Sequence, residues 1–173
     1  MTSVRLGLIV AAALAVLIVG ATSSAALRTE SPQQLPPAAS PGQEVLFGHI
    51  SSLVRKGGRF ELKLDPAFLL HGTAAEQAAL EDTGSKDVPN DYYIVEAGHR
   101  QLTFTVARNA RVNVLDRGLE PLAISVSELA RLRAGKNPNH RRLFDRGNHL
   151  GFWIRIGTKY PNPVLELDQQ YQP

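Results

Sequence analysis

The sequence contains no cysteine among its 173 residues. That excludes disulfides, thiolate metal sites, a cysteine nucleophile and a lipid-modified N-terminal cysteine. There is also no G-x-S-x-G elbow, no glycine-rich phosphate loop and no HExxH, so local signatures of acyl transfer, nucleotide binding and zinc hydrolysis are missing. The histidines His49, His71, His99, His140 and His149 are scattered, whereas zinc needs three or four convergent ligands. Aromatic residues make up only 6% of the chain. They do not accompany the basic stretches as stacking platforms for nucleic acid would. These absences point to a protein that is not an enzyme, with no cofactor, no metal site and no nucleic-acid partner.

What is present begins at the N-terminus. Residues 6–21, LGLIVAAALAVLIVGA, follow Arg5 without a charge, and small residues then lead to Arg28. A basic start, an apolar run and small residues are the parts of an export signal. Counted on to Leu27, the run reaches about 22 residues, near the span a bilayer needs. The ambiguous cleavage site favours an uncleaved anchor slightly over a cleaved signal. We therefore expect a signal peptide or signal anchor over 1–28, with membrane contact through residues 6–27. The stretch 31–43, SPQQLPPAASPGQ, holds four prolines, which remove donors and disfavour helix. A Pro-rich linker over 29–43 and an extracytoplasmic domain over 44–173 follow from this division.

The domain opens on a hairpin, residues 45–65. In its second arm Phe60, Leu62 and Leu64 alternate with Arg59, Glu61, Lys63 and Asp65, giving one dry and one wet face. Gly57-Gly58 suits a tight turn between the arms, and Asp65-Pro66 is expected to end the second arm. Thr73 and Glu76 have capping-box spacing before a short alanine-rich helix. A turn-rich loop over 82–91 precedes a strand at 92–95. Leu102, Phe104 and Val106 mark another strand, and Ala110, Val112 and Val114 a separate one. Ser125 and Glu128 form a second capping box, with Val126, Leu129, Ala130 and Leu132 as its buried stripe and Gly135 as its stop. Strands at 151–156 and 164–167 and a polar tail complete the chain. The pattern predicts a mainly β fold: a small antiparallel, partly closed barrel of about six strands with one or two short helices, preceded by an N-terminal hydrophobic helix and a Pro-rich linker.

A helix between a late strand and the final pair resembles the OB-fold layout, where a helix plugs one end of the barrel. Over about residues 45–168 the chain also resembles uncharacterised secreted bacterial domains of unknown function with an OB-like small β-barrel. Gly48, Ile50, Ser52 and Leu53 carry a G-x-I-x-S-L first strand, and residues 60–66, 103–106, 112–114 and 125–135 carry the rest. The chain departs from that pattern by the insert 68–91 and the long loop 136–150. The resemblance implies the fold and no activity.

Three constellations bear on function. From Glu61 to Glu96 eight carboxylates face two lysines. Asp82, Asp87 and Asp91, with Ser85 and Asn90, are hard oxygen donors of the kind Ca²⁺ takes, but their spacing is not that of an EF-hand, and carboxylates commonly build turns. From Ala97 to Lys159 twelve Lys and Arg face four acids. Arg131, Arg133, Lys136, Arg141, Arg142 and Arg146 crowd a helix end and the next loop, and guanidinium forks suit phosphate and carboxylate. The bland reading is that this loop faces the acidic half of the same domain. Trp153, opposite in face to Phe152, suits either a surface contact or packing under the long loop. The expectation is an exported or membrane-anchored, non-enzymatic binding or assembly module of the cell envelope. Its partner would be an envelope protein, a lipid or an anionic polymer, met through those six cations. The alternative is a Ca-dependent or small-ligand-binding exported protein, with a hydrolase a weaker form of it. An exposed strand edge pairing with a partner is a third route.

Overall fold

The computed structural model describes residues 36–98, 100–144 and 151–172. The N-terminal segment, the first part of the Pro-rich linker (29–35), His99, Arg146 and His149 lie outside them. The chain runs β1 (Gln43–Lys56), β2 (Arg59–His71), α1 (Gly72–Thr83), β3 (Tyr92–Glu96), β4 (Leu102–Leu115), β5 (Pro121–Ile124), α2 (Val126–Arg133), β6 (Gly151–Gly157) and β7 (Val164–Gln169). Among the described residues no helix is long and apolar enough to cross a membrane.

Five strands close a barrel in the order β1-β2-β4-β7-β6 and back to β1. All its pairings are antiparallel except β4–β7, which is parallel. One helix lies between the third and fourth barrel strands, so the OB-like layout is realised, with the barrel closed. Following partners around the wall from Arg55 leads through Phe60, Val106, Val164 and Ile156 to Glu44, further back on β1. Such a stagger is what strongly tilted strands in a small barrel require. β3 and β5 flank the barrel as edge strands.

Local chemistry explains the bends. Gly57 and Gly58 have φ of 55° and 80°, the pair of positive values a tight hairpin turn demands. Gly48 is needed for another reason: a Cβ there would lie 2.3 Å from the Asp65 carbonyl oxygen. The β1–β2 register shifts between Ile50 and Ser52, and the Ser51 hydroxyl donates to the Lys63 carbonyl at 3.1 Å. A bulge of this kind sharpens the twist.

The barrel is filled by Ile50, Leu53, Leu62, Leu64, Val112, Phe152, Ile154 and Leu167, among others, with Val126, Leu129 and Leu132 of α2 joining the same core. At about 1.5–3 kcal/mol for each buried aliphatic side chain, those three residues dock a helix too short to persist alone. Among the described residues, every core residue falls within the compact unit Ser31–Pro173, so that unit carries its own core.

Several elements differ from the sequence expectation. β2 does not stop at Asp65 but continues to His71. It pairs with β4 up to Leu64 and with β3 from Ala67, and Pro66 sits at the exchange of partners, where a missing N–H costs least. The two strands expected over 100–114 are one bent strand, β4. β5 was not foreseen. Thr73 lies inside α1, whose N-cap is His71 with no side-chain cap bond. The polar tail is held rather than loose: Gln169 and Gln170 are buried.

Candidate anionic-partner site

Helix α2 and the loop after it carry the cations singled out in the sequence. Ser125 caps the helix, accepting from the Glu128 amide at 3.1 Å. At the other end Gly135 has a φ of 75°, its amide donates to the Leu132 carbonyl at 2.9 Å, and the Lys136 amide donates to Arg131 at 2.8 Å. This six-to-one closure, made by a left-handed glycine, fixes where the chain leaves the helix. Two of the expected contact residues, Arg131 and Lys136, are thus joined by one backbone bond.

The loop is pinned. The Asn137 side chain accepts from the Arg141 amide at 2.9 Å and donates to the Arg141 carbonyl at 2.8 Å. The Arg117 amide donates to the Arg142 carbonyl at 3.1 Å, and the Phe144 amide to Leu115 at 3.0 Å. Leu143 between them is buried in the barrel core, and the Phe144 ring lies 5.2 Å from that of Tyr171.

Within this frame the cations divide. Arg141 donates through Nε to Glu128 Oε1 at 3.0 Å, with Nη2 3.5 Å from Oε2. The Glu128 side chain is 5% exposed, and hydrogen bonding from Arg141, against the opposing effect of burial, holds its carboxyl below the ordinary range. The same bond raises the Arg141 guanidinium. Arg133 donates to the carbonyl of Ile50, where the bulge disturbs the β1–β2 ladder and a buried carbonyl needs a partner. Arg131, Lys136 and Arg142 are exposed. The structure therefore brings five of the six sequence-singled residues onto one helix end and its strap, with two turned to structural use and three presented to solvent. Arg146 lies outside the described residues.

Other candidates have local partners. Asp82 accepts from the Tyr93 hydroxyl at 2.5 Å, which pushes that phenol up, and the Asp87 amide donates to the Ser85 hydroxyl at 3.1 Å. Among the described residues no three or more His, Asp or Glu side chains converge as metal ligands do. His49 Nε2 lies 3.5 Å from Glu96. Trp153 is half-buried: its ring sits 5.0 Å from Phe47, and Nε1 donates to Gln170 Oε1 at 2.8 Å. The C-terminal tail thus meets it through Gln170. Sequence reasoning missed a second buried carboxylate, Glu166, which is 8% exposed and takes Arg111 at 2.8 Å and Arg155 as partners. Its alternation in β7 with Leu167 marks it as facing out of the barrel, but the cover given by two guanidiniums leaves no local signal. Arg155 also donates to the Ala38 carbonyl at 2.9 Å, which lays the end of the linker along the wall.

Compared with known proteins, the chain matches no family model, no curated protein and no solved structure.

Proposed function

We propose that this protein is an exported or membrane-anchored binding module of the cell envelope, which contacts an anionic partner through Arg131, Lys136 and Arg142. One observation carries the reading: these three cations are exposed on a helix end and strap whose backbone is fixed by capping, by Asn137 and by the Glu128–Arg141 pair. A held backbone lowers the ordering cost of binding. Guanidiniums and an ammonium presented together fit phosphate or carboxylate oxygens. The sequence, with an apolar run before a Pro-rich linker and no nucleophile motif, supports a tethered contact rather than turnover.

The test uses the unit Ser31–Pro173 against envelope fractions at low and high salt. Capture should fall as salt rises, because exposed charges are screened over about 8–10 Å at ordinary ionic strength. The variant R131S/K136S/R142S should lose most of that capture and most of its salt dependence. Unchanged capture by the triple variant removes this surface from the function.

A further inference from the structure

The partner rows join two turns that are far apart in sequence. Val106 of β4 pairs with Phe60 on one side and with Val164 on the other. Phe60 in turn pairs with Arg55. The hairpin turn after Lys56 and the turn before Val164 therefore flank one stretch of wall, about three strand spacings or roughly 14 Å across. This stretch carries Lys56, Arg59, Lys63, Arg108 and Lys159, all exposed; Arg55, paired with Phe60, shares the face that packs on the core and is not part of it. Among the described residues only Lys56 of these five is in an ion pair, with Glu61 at 3.3 Å. Two apolar side chains sit among the cations. Tyr160 is 95% exposed next to Lys159 in the chain, and Val54, paired with Glu61 on the same face as Lys56 and Arg59, is 49% exposed.

We propose that this wall is a docking surface for an anionic phospholipid leaflet. Cations alone would serve any polyanion. An exposed tyrosine and valine at the two flanks gain nothing from a hydrated polymer, but aromatic and apolar tips settle at the headgroup level of a bilayer. Each lysine or arginine near an anionic leaflet adds attraction that falls off within a Debye length. The inference goes beyond the proposed function, rests on its reading of the protein as exported or membrane-anchored, and uses none of its contact residues.

The experiment is sedimentation of the unit Ser31–Pro173 with vesicles of phosphatidylglycerol mixed into phosphatidylcholine, and with phosphatidylcholine alone. The protein should partition onto the anionic vesicles and not onto the neutral ones. K56S/R59S/K63S/K159S should lower that partitioning roughly a thousandfold, and Tyr160→Ala several-fold with its cations intact. R131S/K136S/R142S should partition like the unsubstituted domain, which separates failure here from failure of the other surface. No partition onto anionic vesicles overturns the proposal, as does partition lost only in the helix-end variant. Capture by soluble polyphosphate without vesicle binding also overturns it, and assigns the wall to a polymer.

Discussion

Between Arg131 and Arg142 the described helix end and loop hold five lysines and arginines, and the barrel wall flanked by the hairpin turn holds five more. In the first region Arg133 and Arg141 point their guanidiniums at a strand carbonyl and a buried carboxylate. In the second, the one ion pair is between side chains 73% and 29% exposed. Density of charge in a sequence thus differs from charge available to a partner. A cation beside a core element is drawn into satisfying buried groups, whereas one on a turn between two-sided strands has only water and its neighbours.

The largest effect should come from Arg141→Ala. It takes from the buried Glu128 carboxylate its principal hydrogen-bond donor and counter-charge, leaving the Asn139 hydrogen bond and the attraction of Arg131, and the loss is read as a lowered urea midpoint at neutral pH. The pH dependence follows from the lowered Glu128 carboxyl. A carboxyl depressed in the folded state contributes stability that is complete above its ordinary value of 4.5. That stability is lost as pH falls through the folded value, where the pair goes in both proteins. The gap between native and variant should therefore be widest near neutrality and narrow below 4.5. A gap independent of pH would show that Arg141 acts through packing alone. Arg133→Met, which removes the donor to the Ile50 carbonyl, should cost about 1–2 kcal/mol.

These inward roles were hidden in the sequence for a physical reason. Glu128 was read as the second member of the Ser125 capping box, and the box is half real: Ser125 accepts from the Glu128 amide, but the carboxylate turns to a residue 13 positions on. Arg133 reaches a carbonyl 83 positions away, a contact that exists only once the barrel has bent. What was legible was local. Phe60, Leu62 and Leu64 alternate because a strand with one buried face must, and Gly57-Gly58 marks the turn because few other pairs take two positive φ values. What failed depended on partners. Pro66 ends a strand only if a neighbour needs its amide, and β4 looks like two strands because Arg108 and Asn109 interrupt its apolar alternation while the backbone runs on.

The cap offers a middle-sized check on the helix-end surface. Ser125→Ala should cost about 1 kcal/mol, and by loosening the helix that presents Arg131 it should also weaken envelope capture. The surface variants R131S/K136S/R142S and K56S/R59S/K63S/K159S should each unfold within about 0.5 kcal/mol of the unsubstituted domain per position. Hydrogen exchange of the core amides would reveal a larger change. A costly surface variant would mean that its cations, like Arg141, are bound inward.

The smallest effect should belong to Lys56→Ala. Lys56 and Glu61 approach to 3.3 Å, against 3.0 Å for Arg141 and Glu128, so distance alone would rank the two pairs together. Their surroundings separate them. Glu61 is 29% exposed where Glu128 is 5% exposed. Removing Lys56 returns Glu61 to water, while removing Arg141 takes the principal counter-charge from a carboxylate inside the protein. Exposed pairs contribute about 0–1 kcal/mol, with added salt eroding even that. The expected change in the urea midpoint for Lys56→Ala is therefore under about 0.5 kcal/mol and should vanish at high salt. If it matched the Arg141 change instead, burial of the carboxylate would not be what divides the two basic regions. The hairpin turn would then have to be counted among the structural elements of the barrel.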